Sequence, residues 1–156
     1  MILGDSLELR PARLEDAELI LEDIRDEDVE EWRASVNGGI FWLEDCLRTS
    51  TEAVTLCDRP SGRPLVLFGC HRRDKGPSDI WMVASVEGPA RATVGWYLAK
   101  EWIDAFWERW PDVHCNSHVS NVVHHRWLEW LGFWRGPQRP WGVLGHEFIY
   151  FRRREP

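Results

Sequence analysis

Three short apolar segments in the middle of the chain, Ala53–Cys57, Leu65–Cys70 and Ile80–Ala84, do most to limit what it can fold into. Turn chemistry separates them: Asp58-Arg59-Pro60-Ser61-Gly62 after the first and Asp74-Lys75-Gly76-Pro77 after the second. Runs this short between breakers read as strands, and a run that is apolar throughout reads as a strand covered on both faces. The first two form a hairpin.

On either side of this centre the apolar period alternates between two and about 3.6 residues. Leu7 to Arg10 alternates and stops at Pro11, a first strand. Leu14, Ala17, Leu21 and Ile24 recur at steps of three and four, an amphipathic helix. Its first turn holds Glu15 and Asp16, where the helix dipole favours negative charge. After the breaker Asn37-Gly38-Gly39 a second helix is expected from about Ile40 to Arg48. Val94, Leu98, Trp102 and Phe106 fall every fourth residue and predict a helix that ends near Pro111. Val113–Val119 reads as a strand and Asn121–Leu131 as a short helix stopped by Gly132. Phe133 opens a sixth strand. Phe148–Phe151 forms a seventh, after a loop holding Pro137, Pro140 and Gly142. The order β-α-α-β-β-β-α-β-α-β-β gives one α/β (α+β) domain over residues 1–156, with about seven strands and about four helices.

Composition narrows the function classes. The net charge is −7, which argues against nonspecific nucleic-acid binding, because such binding rests on neutralising phosphates. No apolar run is long enough to cross a bilayer, and the first residues have neither the basic nor the apolar stretch of a secretion signal. Cys46, Cys57, Cys70 and Cys115 are irregularly and widely spaced, which suits buried, reduced thiols. Ten acidic residues and one basic residue lie between Glu15 and Glu31, and a solvated helix face explains them most simply. Tryptophan is the exception to ordinary composition: of eleven, eight lie between Trp96 and Trp141. A core this small has difficulty absorbing them all. Trp96, Trp110, Trp134 and Trp141 are therefore the expected surface anchors for a protein partner.

The element order and one segment resemble the GNAT (Gcn5-related N-acetyltransferase) fold. Asn121-Val-Val-His-His-Arg-Trp-Leu-Glu-Trp-Leu-Gly132-Phe133 is similar to the family stretch N-x-x-A-x-x-x-Y-x-x-x-G-F. The resemblance implies a central mixed, mostly antiparallel sheet and a cleft for acetyl coenzyme A. It would assign cofactor contacts to Val83, Ala84, Ser85, Arg91 and Asn121. Two departures bear on chemistry. The family's Tyr, often a general acid, is Leu128 here, which has no proton to give. The family's Q/R-x-x-G-x-G/A loop, whose N–H groups cradle pyrophosphate at a helix start, corresponds here to a segment where Pro89 lacks a donor. Counting from Arg91, Val94 and Trp96 then replace the two small residues. No cofactor is therefore expected, with acetyl coenzyme A as the alternative for an active enzyme.

Further stretches resemble the internal virion protein A family of T7-like podophages: Arg25-Asp26-Glu27-Asp28-Val29-Glu30-Glu31, Gly62 to Gly69, Trp81 to Ser85, and Asn121 to Phe133. That resemblance implies a GNAT-like phage protein of virion assembly, present in host cytoplasm or virion. It would contact other virion proteins or itself rather than nucleic acid or membrane. If the chain were instead an active acetyltransferase, His118 or His114 would act as general base, with Asn121 beside them. His114, Asn116 and His118 sit at i, i+2 and i+4 on one face of their strand, and imidazole titrates near neutrality. A polar strand face is the plainer reading. No C-x-x-C or H-E-x-x-H spacing is present, so no metal centre is expected.

Overall fold

A computed structural model describes residues 1–154. Eight strands form one sheet: β1 (Ile2–Leu3), β2 (Leu7–Pro11), β3 (Glu52–Asp58), β4 (Pro64–His71), β5 (Ser78–Ala84), β6 (Asp112–His118), β7 (Trp134–Trp141) and β8 (His146–Arg154). Their order across the sheet is β1-β2-β3-β4-β5-β6-β8-β7, and every neighbouring pair is antiparallel except β5 and β6. Six α-helices cover it: α1 (Leu14–Leu21), α2 (Asp26–Ser35), α3 (Leu43–Thr49), α4 (Gly88–Leu98), α5 (Lys100–Arg109) and α6 (Val122–Trp130). The apolar β4 is buried between two clusters. Ala17, Ile20, Trp32, Leu43 and Leu47 from α1–α3 pack with Leu67 and Val83 on one face. Trp96, Ile103, Phe106, Trp107 and Leu128 from α4–α6 pack with Val66, Met82 and Val113 on the other. No helix among the described residues is long and apolar enough to cross a membrane.

The architecture follows the sequence expectation, and its departures have local causes. The acidic stretch contains a helix, α2, which periodicity did not reveal because its inward face is Asp28, Glu31 and Trp32 rather than an aliphatic stripe. α1 is turned from the expected stripe. Leu14 is exposed, while Asp16, Ala17 and Ile20 are buried. Asp16 tolerates this because Arg10 contacts both carboxylate oxygens at 2.7 Å, and Thr55 Oγ1 and the Arg13 N–H also donate to it. The helix expected over Ile40–Arg48 is a 3-10 turn, Gly39–Trp42, running into α3.

The four-residue spacing from Val94 to Phe106 misplaced the tryptophans. Steps of four drift by about 40° each around a 3.6-residue helix, so they do not hold one face. The buried positions instead alternate steps of four and three: Ala92, Trp96, Ala99, Ile103, Phe106 and Trp110. Trp96 and Trp110, expected as surface anchors, are thus core residues, and Trp110 Nε1 donates to Glu52 at 2.7 Å. The Pro/Gly-rich loop is strand β7. Pro137 and Pro140 are accommodated because β7 is an edge strand with a register shift between Arg135 and Gln138.

One close approach fixes the helix layer over β4 and β5. The Trp81 indole lies flat over Gly69 of β4, donates from Nε1 to Ser50 Oγ at 2.9 Å, and meets Trp32 edge-on at 6.0 Å. A Cβ on Gly69 would come within 2.5 Å of that ring. Gly69→Ala is expected to lower unfolding free energy by about 2 kcal/mol through overpacking. Urea denaturation with an unchanged slope would measure it, and a variant as stable as the parent would show that Trp81 is free to move.

Candidate functional site

β5 and β6 are paired only at Ser78↔Val113 and Asp79↔His114. Beyond these positions β5 runs on to Ala84 and β6 to His118, each still paired on its outer side to β4 and β8. The strands therefore part toward their C-terminal ends, each leading into a helix, and that is where open α/β sheets bind ligands. Parting leaves inward-facing backbone groups that need new partners.

α2 supplies them. Asp28 and Glu31, three residues apart on one helix face, accept the Ala84 N–H at 2.8 Å and the His118 N–H at 2.7 Å. Ser117 Oγ donates to Glu31 at 2.7 Å, and Asn121 Nδ2 donates to Asp28 at 3.0 Å and to Glu31 at 3.3 Å. The Arg25 guanidinium donates to Asn121 Oδ1 at 3.1 Å. The chain leading into α2 lies along the open edge of β5: the Arg25 N–H donates to the Ala84 carbonyl, the Val86 N–H donates to the Asp23 carbonyl, and Ile24 bridges Ser85.

His124 completes the cluster, with Nδ1 at 3.4 Å from Glu31 Oε1. Burial works to lower the His124 pKa, but the hydrogen bond and charge of Glu31, then the charge of Asp28, outweigh it and hold the imidazole above its ordinary value. Burial works to raise Glu31. His124, Ser117 and the His118 N–H reverse that and leave its carboxyl below the usual range. At Asp28 burial prevails over His124 and Arg25, and its carboxyl lies above the usual range. Glu31 and His124 therefore form a buried ion pair across the parted strands.

Beside this cluster lies a cavity of about 500 Å³. Seven of the eleven tryptophans line it. Trp32, Trp42, Trp81 and Trp141 stand on the α2 side of the sheet, and Trp96, Trp102 and Trp107 on the α5 side. Ile80, Met82, Cys115 and Asn116 form its waist between β5 and β6. The cavity thus passes through the sheet where the strands part. Two buried polar atoms on its lining, Trp96 Nε1 and Asn116 Oδ1, have no hydrogen-bond partner in the protein.

The other sequence candidates fall in several places. His114 Nε2 is 2.8 Å from Asp79 Oδ1, next to Arg73. His118 packs against Phe148, with Nδ1 at 2.7 Å from Ser120 Oγ and Nε2 at 3.3 Å from His146 Nδ1. Val83 is buried against the α1–α3 cluster, and Ser85 is buried with its N–H donating to the Leu65 carbonyl. Arg91 turns away from the cleft and pairs with Asp58 at 2.7 Å. Leu128 is core. Trp134 and Trp141 are exposed. Among the N–H groups of the turn between β5 and α4, those of Ser85, Val86 and Gly88 already donate to Leu65, Asp23 and Ser85 carbonyls, and Pro89 has none. The thiols are poor nucleophiles. Burial lifts Cys46 to about 12 and Cys57 to about 11, and also raises Cys70 and Cys115. Sequence reasoning missed Asp28, Glu31 and His124 as a unit, since they stand up to 96 positions apart and share no local motif.

A mixed sheet whose two parallel strands part over a cleft, each followed by a helix, is the GNAT fold. Solved structures agree over nearly the whole chain. It is similar to Ard1 from Thermoplasma volcanium, at 16% identity over 96% of this chain and 97% of that one, with a TM-score of 0.71. It is also similar to the aminoglycoside acetyltransferase AAC(6')-Ib in complex with coenzyme A, at 16% identity over 96% and 95%, TM-score 0.63. A GCN5-related N-acetyltransferase from Kribbella flavida matches at 17% identity over 96% and 98%, TM-score 0.63. No family model and no curated protein matches the sequence. At these identities the likeness establishes the fold.

His124→Leu would leave the Glu31 carboxylate buried without its cation and is expected to cost about 3 kcal/mol. The loss is expected to depend on pH. Because the folded His124 pKa lies above its ordinary 6.5, its contribution is full below that value and fades as pH rises through the raised one. Chemical denaturation of both proteins from pH 5.5 to 9 should show the gap narrowing upward. A gap that widens with pH would mean His124 is neutral in the folded state.

Proposed function

We propose that this chain is a GNAT-fold protein that has closed its coenzyme A route with its own second helix and works through contacts with other proteins. The carrying observation is the segment from Asp23 to Glu31. It occupies the open edge of β5 and takes the Ala84 and His118 N–H groups that a ligand arm lying between the strands would need. Asn121, which the family resemblance would assign to the cofactor, is held by Arg25, Asp28 and Glu31. The turn before α4 offers few free donors to a pyrophosphate, and Glu87 adds a negative charge there.

The resemblance to internal virion proteins of podophages supplies the kind of partner, another protein of virion assembly. The surface suited to it is the edge strand β7, where Trp134 and Trp141 stand exposed with Arg135 and Arg139 between them. Exposed tryptophan and arginine are the residue types that anchor protein interfaces.

A second reading, an N-acyltransferase using acetyl coenzyme A on an amine, is the one that the solved structures favour, since acetyltransferases are among them. The cavity supports it as well. It crosses the sheet between β5 and β6, and the unpartnered Trp96 Nε1 and Asn116 Oδ1 could receive a ligand's polar groups. In that case His118 or His114 would take the amine proton, and α2 would have to leave β5.

Calorimetric titration with coenzyme A and acetyl coenzyme A separates the two. The closed-route reading expects no binding tighter than about 1 mM, or roughly 4 kcal/mol. A micromolar dissociation constant would overturn it in favour of the acyltransferase.

A further inference from the structure

Asp28 and Glu31 are not the only α2 carboxylates close to β6. Immediately before Glu31 in the chain, Glu30 meets two imidazoles from elements distant in sequence. His118 Nε2 of β6 and His146 Nδ1 of β8 lie 3.3 Å apart, and Glu30 Oε1 is 3.8 Å from His146 Nδ1. The three ligand atoms all lie within 4.8 Å of one another. We propose that Glu30, His118 and His146 form a zinc-binding site.

The spacing suits one ion. Donor atoms held about 2.0–2.1 Å from a tetrahedral zinc stand roughly 3.3 Å apart. The same 3.3 Å is long for a hydrogen bond between two ring nitrogens. Two imidazoles and one carboxylate are a donor set that zinc accepts, whereas magnesium and calcium prefer oxygen alone. Support around the ligands is present. Both Ser120 Oγ, at 2.7 Å, and the Ser120 N–H, at 3.3 Å, contact His118 Nδ1 and fix the ring with Nε2 turned toward His146. The Arg33 guanidinium holds both Glu30 oxygens, at 2.7 and 2.9 Å for its Nη2, and so orients the carboxylate while each oxygen keeps lone-pair capacity. His118 is buried against Phe148, while Glu30 and His146 are partly exposed, so an ion can enter from solvent and keep a water as its fourth ligand. The side chains of Glu30 and His146 make none of the contacts that close the β5 edge, and His118 joins that closure only through its backbone N–H.

The experiment is calorimetric titration of zinc into chelator-stripped protein without a histidine tag, together with thermal melts. One zinc per chain at micromolar affinity or tighter is expected, with a higher melting temperature in the presence of the metal. His146→Ala replaces a partly exposed residue at the start of β8, so its metal-free melt should match the parent. Its zinc affinity should fall by at least ~100-fold, and Ser120→Ala should weaken binding by ~10-fold. No zinc binding up to millimolar concentration, or equal binding in parent and His146→Ala, would overturn the proposal.

Discussion

Everything at the centre of this protein depends on how the gap between β5 and β6 is satisfied. Two parallel strands that part in the middle of a sheet strip partners from buried backbone groups, and each unmet N–H costs about 1–3 kcal/mol. Water or a ligand can fill such a gap. Here two carboxylates on consecutive turns of α2 fill it, accepting one N–H from each strand. Those carboxylates then need partners of their own: Arg25 and His124 supply charge, and Asn121 supplies hydrogen bonds. The buried polar cluster is a chain of obligations that begins with the sheet topology.

The tryptophans follow from the same gap. Where the sheet splits, rings from both of its faces line the opening. Trp32 and Trp81 meet edge to face on one side, and Phe106 packs against Trp102, Trp107 and Trp110 on the other. The rings leave a cavity rather than a filled core.

The central strands were legible because continuous apolar runs between turn residues admit few other conformations; β3, β4 and β5 lie where the sequence places them. The helix expected over Asn121–Leu131 and its Gly132 stop were legible too, and Gly132 takes the positive φ of 87° that such a stop requires. α2 was not, because its buried face is acidic and reads as a solvated one. The burial of Trp96 and Trp110 was hidden by the four-residue stripe from Val94 to Phe106, which drifts off the face that the helices bury. The histidines of β6 were visible as candidates. What they touch was not, since Glu30, Glu31 and His146 reach them only through the folded sheet.

The pairing of Ile24 with Ser85 has a further consequence during synthesis. The chain emerges from its N-terminus, so β1 to β5 are complete before β6 exists, and for that interval β5 is a free sheet edge. A bare apolar edge of this kind is a template for pairing with other nascent chains. The stretch from Asp23 to Arg25 is already present at that stage and can cap the end of β5 with its own backbone, while Asp28 sets a charge against the Ala84 N–H. The segment that closes the cleft in the finished protein would then also shield that end of β5 in the unfinished one.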